Sequence, residues 1–173
     1  MPPLAILALL AVLLFIGRSS MTALATSPSG RAEIIRHEGI RYEPYRDAAG
    51  FWTIGIGHLI APGDGVPRGT SGNPLPIDET FLMTLFETDL LHAENAVRRY
   101  VTVALTQGQF DALTDFVFNL GAGRFAQSTL LQLLNTGNYP AAAEEFKRWV
   151  YAGGVKVAGL ETRRADNYRT FLT

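Results

Sequence analysis

Three polar side chains fall close together in the first third of the chain: Glu38, Asp47 and Thr53. They sit in the runs His37-Glu38-Gly39, Tyr45-Arg46-Asp47 and Gly50-Phe51-Trp52-Thr53-Ile54-Gly55-Ile56-Gly57-His58. Two carboxyls and a hydroxyl suffice for acid–base hydrolysis, provided one carboxyl carries a proton and the other does not. The neighbours suggest such a division. Glu38 closes a segment with apolar Ile34 and Ile35, where desolvation and the negative end of a helix both disfavour a charge. Asp47 stands beside Arg46 and ahead of Ala48-Ala49-Gly50, a polar turn in which it is expected to stay ionised.

The elements that must hold these groups follow from local pattern. Ser27 before Pro28 marks a helix start and Gly39 a helix stop, so a helix is expected from Pro28 to Glu38. Ile34 and Ile35, four and three residues before Glu38, then share its buried face. Phe51 to Gly57 reads as a strand. Its Trp52, Ile54 and Ile56 face suits a core, whereas its Thr53, Gly55 and Gly57 face is nearly bare and leaves room for a ligand beside a hydroxyl.

Taken in order, Glu-Gly, Tyr-x-Asp and Gly-x-x-Thr-x-Gly-x-Gly-His resemble the phage-type lysozymes, the muramidases of glycoside hydrolase family 24. The likeness continues in Phe116-Val117-Phe118-Asn119-Leu120-Gly121, Ser128-Thr129-Leu130-Leu131 and Gly159-Leu160-Glu161-Thr162-Arg163-Arg164, nearly everything but the N-terminus. The resemblance implies hydrolysis of the β-1,4 bond between N-acetylmuramic acid and N-acetylglucosamine in bacterial peptidoglycan, with inversion. It gives Glu38 the role of general acid, Asp47 that of the carboxylate on the other face of the sugar, and Thr53 that of the water-positioning hydroxyl. It also implies that Leu59, Phe118, Asn119 and Ser128 line the sugar cleft. No cofactor and no metal are expected.

Composition narrows the field. The 173 residues include no cysteine, which excludes a disulfide framework, a thiol nucleophile and cysteine-ligated zinc. The three histidines have no paired spacing of a metal site. A net charge of −1 leaves no bulk attraction to drive binding, and nucleic acid is not an expected partner. Lys147, Arg148, Lys156, Arg163, Arg164 and Arg169 outnumber Glu161 and Asp166 near the C-terminus. The expectation for them is an ordinary ion-pair lattice on a solvated face, with an anionic wall or lipid surface as the alternative.

Residues 4–16 are unbroken apolar. As a helix they span roughly 20 Å against a hydrocarbon core of roughly 30 Å. Three readings stay open: a weakly held anchor, a signal peptide cleaved after Ala25, and a core helix. Some lysozymes of the resembled family are exported tethered and inactive, then slip from the membrane. The short, alanine-bearing, serine-flanked stretch looks like such a signal-anchor-release segment. With no cysteine to block the site, repositioning of this segment is the control that remains. The expected location is the periplasm of a bacterial host, initially on the inner membrane, and the expected state is a monomer.

The expected fold is α+β and mostly helical: a two-lobed, lysozyme-like arrangement of a small β-hairpin lobe and a helical lobe with a cleft between them. Residues 1–26 form the N-terminal segment and 27–173 the catalytic domain, with the small lobe at about 40–77 and the helical lobe at about 78–173. Residues 61–74 are a glycine- and proline-rich loop. An apolar stripe from Phe81 to Val97 predicts a helix from Asp78 to about Tyr100 that bridges the lobes. Thr106-x-x-Gln109 and Thr129-x-x-Gln132 read as capping boxes, Pro140 as the start of a helix running to Tyr151, and Leu160 as the start of the last helix. His58 is expected to be structural, bonded to an acid such as Asp89, and His37 and His92 to be partly solvated. Asn167 stands near where relatives often have an acid, which puts the ion pairing of the last helix in question. Two rivals to hydrolysis remain: a lytic transglycosylase, for which one carboxyl suffices, and a catalytically silent wall-binding protein.

Overall fold

Ser27 sets the start of the first helix by chemistry. Its hydroxyl accepts the Gly30 N–H at the N-cap of α1 (Pro28–Glu38), with proline in the first turn, where its missing N–H costs nothing. Gly39, at φ 73°, ends the helix and donates to Ile35 O. In this computed structural model the described residues are 24–47 and 50–173. The apolar stretch at residues 4–16, and the anchor-or-signal question it raises, lie outside them. No helix among the described residues is long and apolar enough to cross a membrane.

An antiparallel sheet follows, β1 (Arg41–Arg46), β2 (Trp52–Gly55) and β3 (His58–Leu59), in the order β1-β2-β3. The register sets Tyr45 opposite Thr53 and Thr53 opposite Leu59. The expected strand to Gly57 stops at Gly55, because the chain reverses through Ile56 and Gly57 to make the β2–β3 hairpin. Ile54 and Ile56 enter the core as expected, but Trp52 does not: it is half-buried, with the Arg46 guanidinium 4.3 Å over its ring. The other face is not bare either. Thr53 and Gly55 are buried, and a Cβ at Gly55 would meet Leu82 and Ile77 at 3.7 and 4.0 Å.

Asp78 caps the long helix α2 (Glu79–Tyr100) by accepting the Phe81 N–H. Its apolar stripe serves two cores. Leu82, Leu85, Phe86 and Leu90 pack with Ile34, Ile54, Ile56, Val66 and Ile77. Ala93, Ala96 and Val97 pack with Phe110, Leu113, Phe116 and the rest of the helical cluster. One helix therefore stiffens the connection between the lobes, as the stripe predicts.

The capping box at Thr106 and Gln109 opens α3 (Gln107–Leu120), which ends at Gly121. The chain then makes a further short helix, α4 (Ala122–Ala126), that the glycines around it did not announce. The next cap falls one residue earlier than Thr129. Ser128 accepts the Leu131 N–H and starts α5 (Thr129–Asn135). The helix expected as far as Tyr151 is shorter. It consists of α6 (Tyr139–Glu145), a 3-10 turn at Phe146–Arg148, and a hairpin, β4 (Tyr151–Ala152) with β5 (Val155–Lys156), turning on Gly153 and Gly154. The last helix, α7, runs from Ala158 to Phe171.

Lys147, Arg148, Lys156 and Arg169 form the expected ion-pair lattice, but Arg163 and Arg164 are not on a solvated face: both are buried. Lys147 bonds Glu144 at 2.7 Å, Arg148 bonds Glu145 at 3.1 Å and Lys156 bonds Glu161 at 2.6 Å, while Arg169 pairs with Asp166. Arg164 is fully buried beneath the Phe116 ring, donating to Trp149 O and Asn167 Oδ1. Burial lowers its pKa to about 10.

Candidate active site

Glu38, at the C-terminal end of α1, lies against the β2–β3 turn. A Cβ on Gly57 would sit 2.8 Å from Glu38 Oε2, and Gly57 also has φ 72°, so steric room and backbone angle both call for glycine there. The apolar surround expected for Glu38 is not what is found. Its Oε1 accepts from Arg163 Nη1 at 2.5 Å, and its side chain is 19% exposed. Of the two isoleucines expected beside it, Ile34 is fully buried and Ile35 only half-buried.

Arg163 does not face Glu38 alone. Its Nη2 donates to Asp115 Oδ1 at 2.7 Å and its Nε to Asp115 Oδ2 at 3.2 Å. With Arg163 and Asp115 compensating each other, Glu38 does not confront a bare cation. Asp115 also accepts from the Asn167 amide and contacts His37 Nδ1 at 3.4 Å. Burial works against its charge, but His37 and Arg163 prevail and hold its pKa down to about 2.

His37 is not solvated, contrary to expectation: its side chain is 5% exposed, with Nε2 3.0 Å from Asp166. Burial opposes its protonation, yet the Asp115 and Asp166 carboxylates raise its pKa. His92 is exposed. The doubt about Asn167 is answered by Asp166, which pairs with Arg36, His37 and Arg169, while Asn167 bridges Asp115 and Arg164.

Asp47 ends β1. Its Oδ1 accepts the Phe51 N–H at 2.8 Å, its own N–H donates to Phe51 O at 2.9 Å, and its carbonyl accepts from Gly50 at 2.9 Å. These bonds fix the carboxylate at the mouth of the β1–β2 connection. Thr53 lies one strand over, and among the described residues its Oγ1 makes only a long contact, 3.4 Å, to Phe51 O.

His58 ties the hairpin to the bridging helix, with Nδ1 2.8 Å from Asp89 Oδ2 and Nε2 3.5 Å from Asp64 Oδ2. The Asp89 bond raises its pKa above the ordinary 6.5, and Asp64 adds to the effect despite burial. Stability from this clasp is therefore fully present below pH 6.5 and is lost as pH rises through the higher folded-state pKa. His58→Gln is expected to lose about 1.5–3 kcal/mol at pH 6. The gap to the wild type narrows in alkali, and urea unfolding at a series of pH values reads it.

A cleft of about 280 Å³ opens between this hairpin and α2–α3, lined by Gly57, His58, Leu59, Asp89, Phe118 and neighbours. It brings Leu59 and Phe118 together with Gly57, the glycine that abuts Glu38. Asn119 lies elsewhere, lining a second cavity, and its Oδ1 accepts from Arg164. Ser128 is buried, its hydroxyl engaged with Phe125 O and the Leu131 N–H. Sequence reasoning gave no role to Arg163, Asp115 or His37. The signal available was a pair of arginines in the last helix, and two aspartates, Asp111 and Asp115, among the apolar residues of α3.

The model of the family described as phage lysozyme matches residues 35–167. The chain belongs to the phage lysozyme family.

This lysozyme is 40% identical over 134 residues to the SAR-endolysin of Escherichia phage Mu, covering 78% of this chain and 73% of that one. Among solved structures it resembles the muramidase domain of SpmX from Asticaccaulis excentricus, with a TM-score of 0.74 and 32% identity, covering 87% of this chain and 99% of the other. A P22 lysozyme mutant gives a TM-score of 0.72 at 36% identity, with the same two coverages. The lysozyme is a glycoside hydrolase of the endolysin type, and its substrate is bacterial peptidoglycan.

Proposed function

We propose that Glu38 is the general acid of this lysozyme, Asp47 the carboxylate that activates water on the opposite face of the sugar, and Thr53 the hydroxyl that holds that water. The single observation that carries this reading is the placement of Glu38. It is fixed between Gly57 of the cleft-lining hairpin and an arginine whose charge is already matched by Asp115. The leaving oxygen of the glycosidic bond is protonated by Glu38 as the anomeric centre gains oxocarbenium character. Water set between Asp47 and Thr53 then adds from the other side, and the anomeric configuration inverts. The long Thr53 contact supports this role, because a hydroxyl without a strong internal acceptor keeps its donor for a water molecule. Leu59 and Phe118 flank the sugar chain in the cleft.

Mass spectrometry of the released muropeptides tests the reaction. Reducing ends are expected, and 1,6-anhydro sugars in their place would make the protein a lytic transglycosylase. Asp47→Asn is expected to lower turnover by about 10²- to 10⁴-fold. A silent Asp47→Asn would remove that residue from the mechanism.

We further propose that the protein acts as a monomer exported to the periplasm and is first held on the inner membrane by its N-terminal segment. The apolar run at residues 4–16 supports this, as does its likeness to relatives named as SAR-endolysins. N-terminal sequencing of the membrane fraction is expected to find residues 1–25 attached. A mature chain beginning at Thr26 would replace the anchor with a cleaved signal.

A further inference from the structure

One turn before His37, Glu33 stands on the same face of α1, and α7 brings Asp166 against both. His37 Nε2 lies 3.0 Å from Asp166 Oδ2 and 3.6 Å from Glu33 Oε1, and the three atoms all fall within 4.8 Å of one another. Arg36 places a cation among them. Its Nη2 is 2.6 Å from Glu33 Oε1 and 2.9 Å from His37 Nε2, and it also pairs with Asp166 Oδ2. A guanidinium can only donate, so Nε2 is the acceptor of that contact, and neutral His37 carries its proton on Nδ1. Three electron-pair donors thus converge on one point, and a single positively charged group holds them there.

The imidazole is prepared from behind as well. Its Nδ1 lies 3.4 Å from Oδ1 of Asp115, a buried carboxylate fixed by Arg163 and Asn167. A carboxylate behind a histidine is the arrangement that orients a metal-ligating imidazole. Tetrahedral zinc, with bonds of about 2.0–2.1 Å, sets its ligand atoms about 3.3 Å apart. The two separations at His37 Nε2 straddle that value. Arg169 takes the other oxygen of Asp166, which leaves Oδ2 for the ion. The Arg36 side chain is 52% exposed, against 5% for His37 and 6% for Asp166, so the arginine can swing into water while the ligands stay. A cavity of about 350 Å³ reaches Glu33 and Asp166, with Ser29, Thr170 and Thr173 among its walls. It leaves room for the water that completes a three-ligand site.

We propose that Glu33, His37 and Asp166 bind a zinc ion, with Arg36 as the built-in cation that zinc displaces. One imidazole with two carboxylates suits zinc better than magnesium or calcium, which take oxygen ligands in larger number. The ion joins α1, which carries Glu38, to α7, which carries Arg163, and so braces the two helices that meet at the acid. The proposal does not depend on the catalytic assignment, because no step of hydrolysis passes through these ligands. Glu33-x-x-x-His37 is legible in one stretch of chain, but the third ligand comes from 129 positions beyond His37, so no spacing of histidines announces the site.

The test is calorimetric titration of zinc chloride into the full-length, tag-free protein in mildly alkaline buffer, where the imidazole is neutral, with magnesium chloride as the contrast. Zinc is expected to bind at one site per chain and magnesium not to compete for it. Glu33→Gln and His37→Gln are each expected to weaken zinc binding at least about tenfold. Arg36→Gln, which removes the competing cation, is expected to tighten it about fivefold. Zinc at about 100 times its Kd is expected to raise the wild-type Tm by about 5 °C, with little effect on Glu33→Gln. Glu33 is a third exposed, so its variant carries the test even if His37→Gln does not fold. No zinc binding by the wild type, or an affinity unchanged in Glu33→Gln, overturns the proposal, and so does equal binding of magnesium. An Arg36→Gln protein that binds zinc no more tightly than the wild type overturns it too, since the ion would then lie away from the point that Arg36 occupies.

Discussion

Glu38→Gln abolishes wall lysis: the release of reducing ends from sacculi falls by about three orders of magnitude, while the thermal midpoint moves by only a few degrees. The amide has the size of the carboxyl but no proton to give at neutral pH, and general-acid catalysis is worth about 10²- to 10⁴-fold. The fold should tolerate the change because the amide oxygen still accepts from Arg163 Nη1, which keeps its two bonds to Asp115. The space beside Gly57 admits an NH2 group where an oxygen stood. Turnover near the wild-type rate in a folded Glu38→Gln protein would remove the acid from the mechanism and leave the cleft without one.

Asp115→Ala has the opposite signature, a loss of stability first and of activity as a consequence. Asp115 is 2% exposed and holds Arg163, Asn167 and His37 at once. Deleting it leaves the Arg163 guanidinium, itself 4% exposed, with Glu38 as its remaining carboxylate partner. Removing one member of a buried ionic group costs about 3–5 kcal/mol. In a domain of this size that corresponds to a fall in Tm of about 10 °C, readable by calorimetry at pH 7. The pH dependence has a definite sign. Since the Asp115 pKa is held at about 2, below the ordinary 3.8, its contribution is complete above pH 3.8 and disappears as pH falls towards 2. The Asp115→Ala protein should therefore approach the wild type in acid. A constant gap across that range would mean that the carboxylate charge is not what matters.

These two substitutions bracket how the site is built. Glu38 is placed by short-range features: a serine cap and proline at one end of α1, a glycine at the other, and a second glycine in the facing turn. Such features are local in the chain, so they are legible before any contact is known. The arginine against Glu38 comes from 125 positions away, and the aspartate that balances it from a third helix. No periodicity encodes that meeting. The charge on Arg163 was visible in the sequence, but a buried position on α7 follows only from the packing of α7 on α3.

The same division explains the displaced boundaries. Thr129-x-x-Gln132 satisfies the capping pattern, yet Ser128 holds the cap, because its hydroxyl can bond Phe125 O and the Leu131 N–H together. The helix expected to Tyr151 ends at Glu145, and the two short strands between Val150 and Val157, turning on Gly153 and Gly154, were made by an inter-strand ladder that no periodicity announces. His58 was readable as structural, since Asp89 lies on the predicted bridging helix. His37 was not, because its three carboxylate neighbours come from α1, α3 and α7.

By itself the sequence determined the helix that carries Glu38, the turn that carries Asp47 and the bridging helix, each from signals within one stretch of chain, and the family, from ordered motifs spread along it. The tertiary structure decided what surrounds the acid: an arginine shared with a buried aspartate in place of an apolar pocket. The reason is physical. Hydrogen-bonded caps and turns are satisfied within one stretch of chain, whereas a buried charge must find its counter-charge wherever packing brings one.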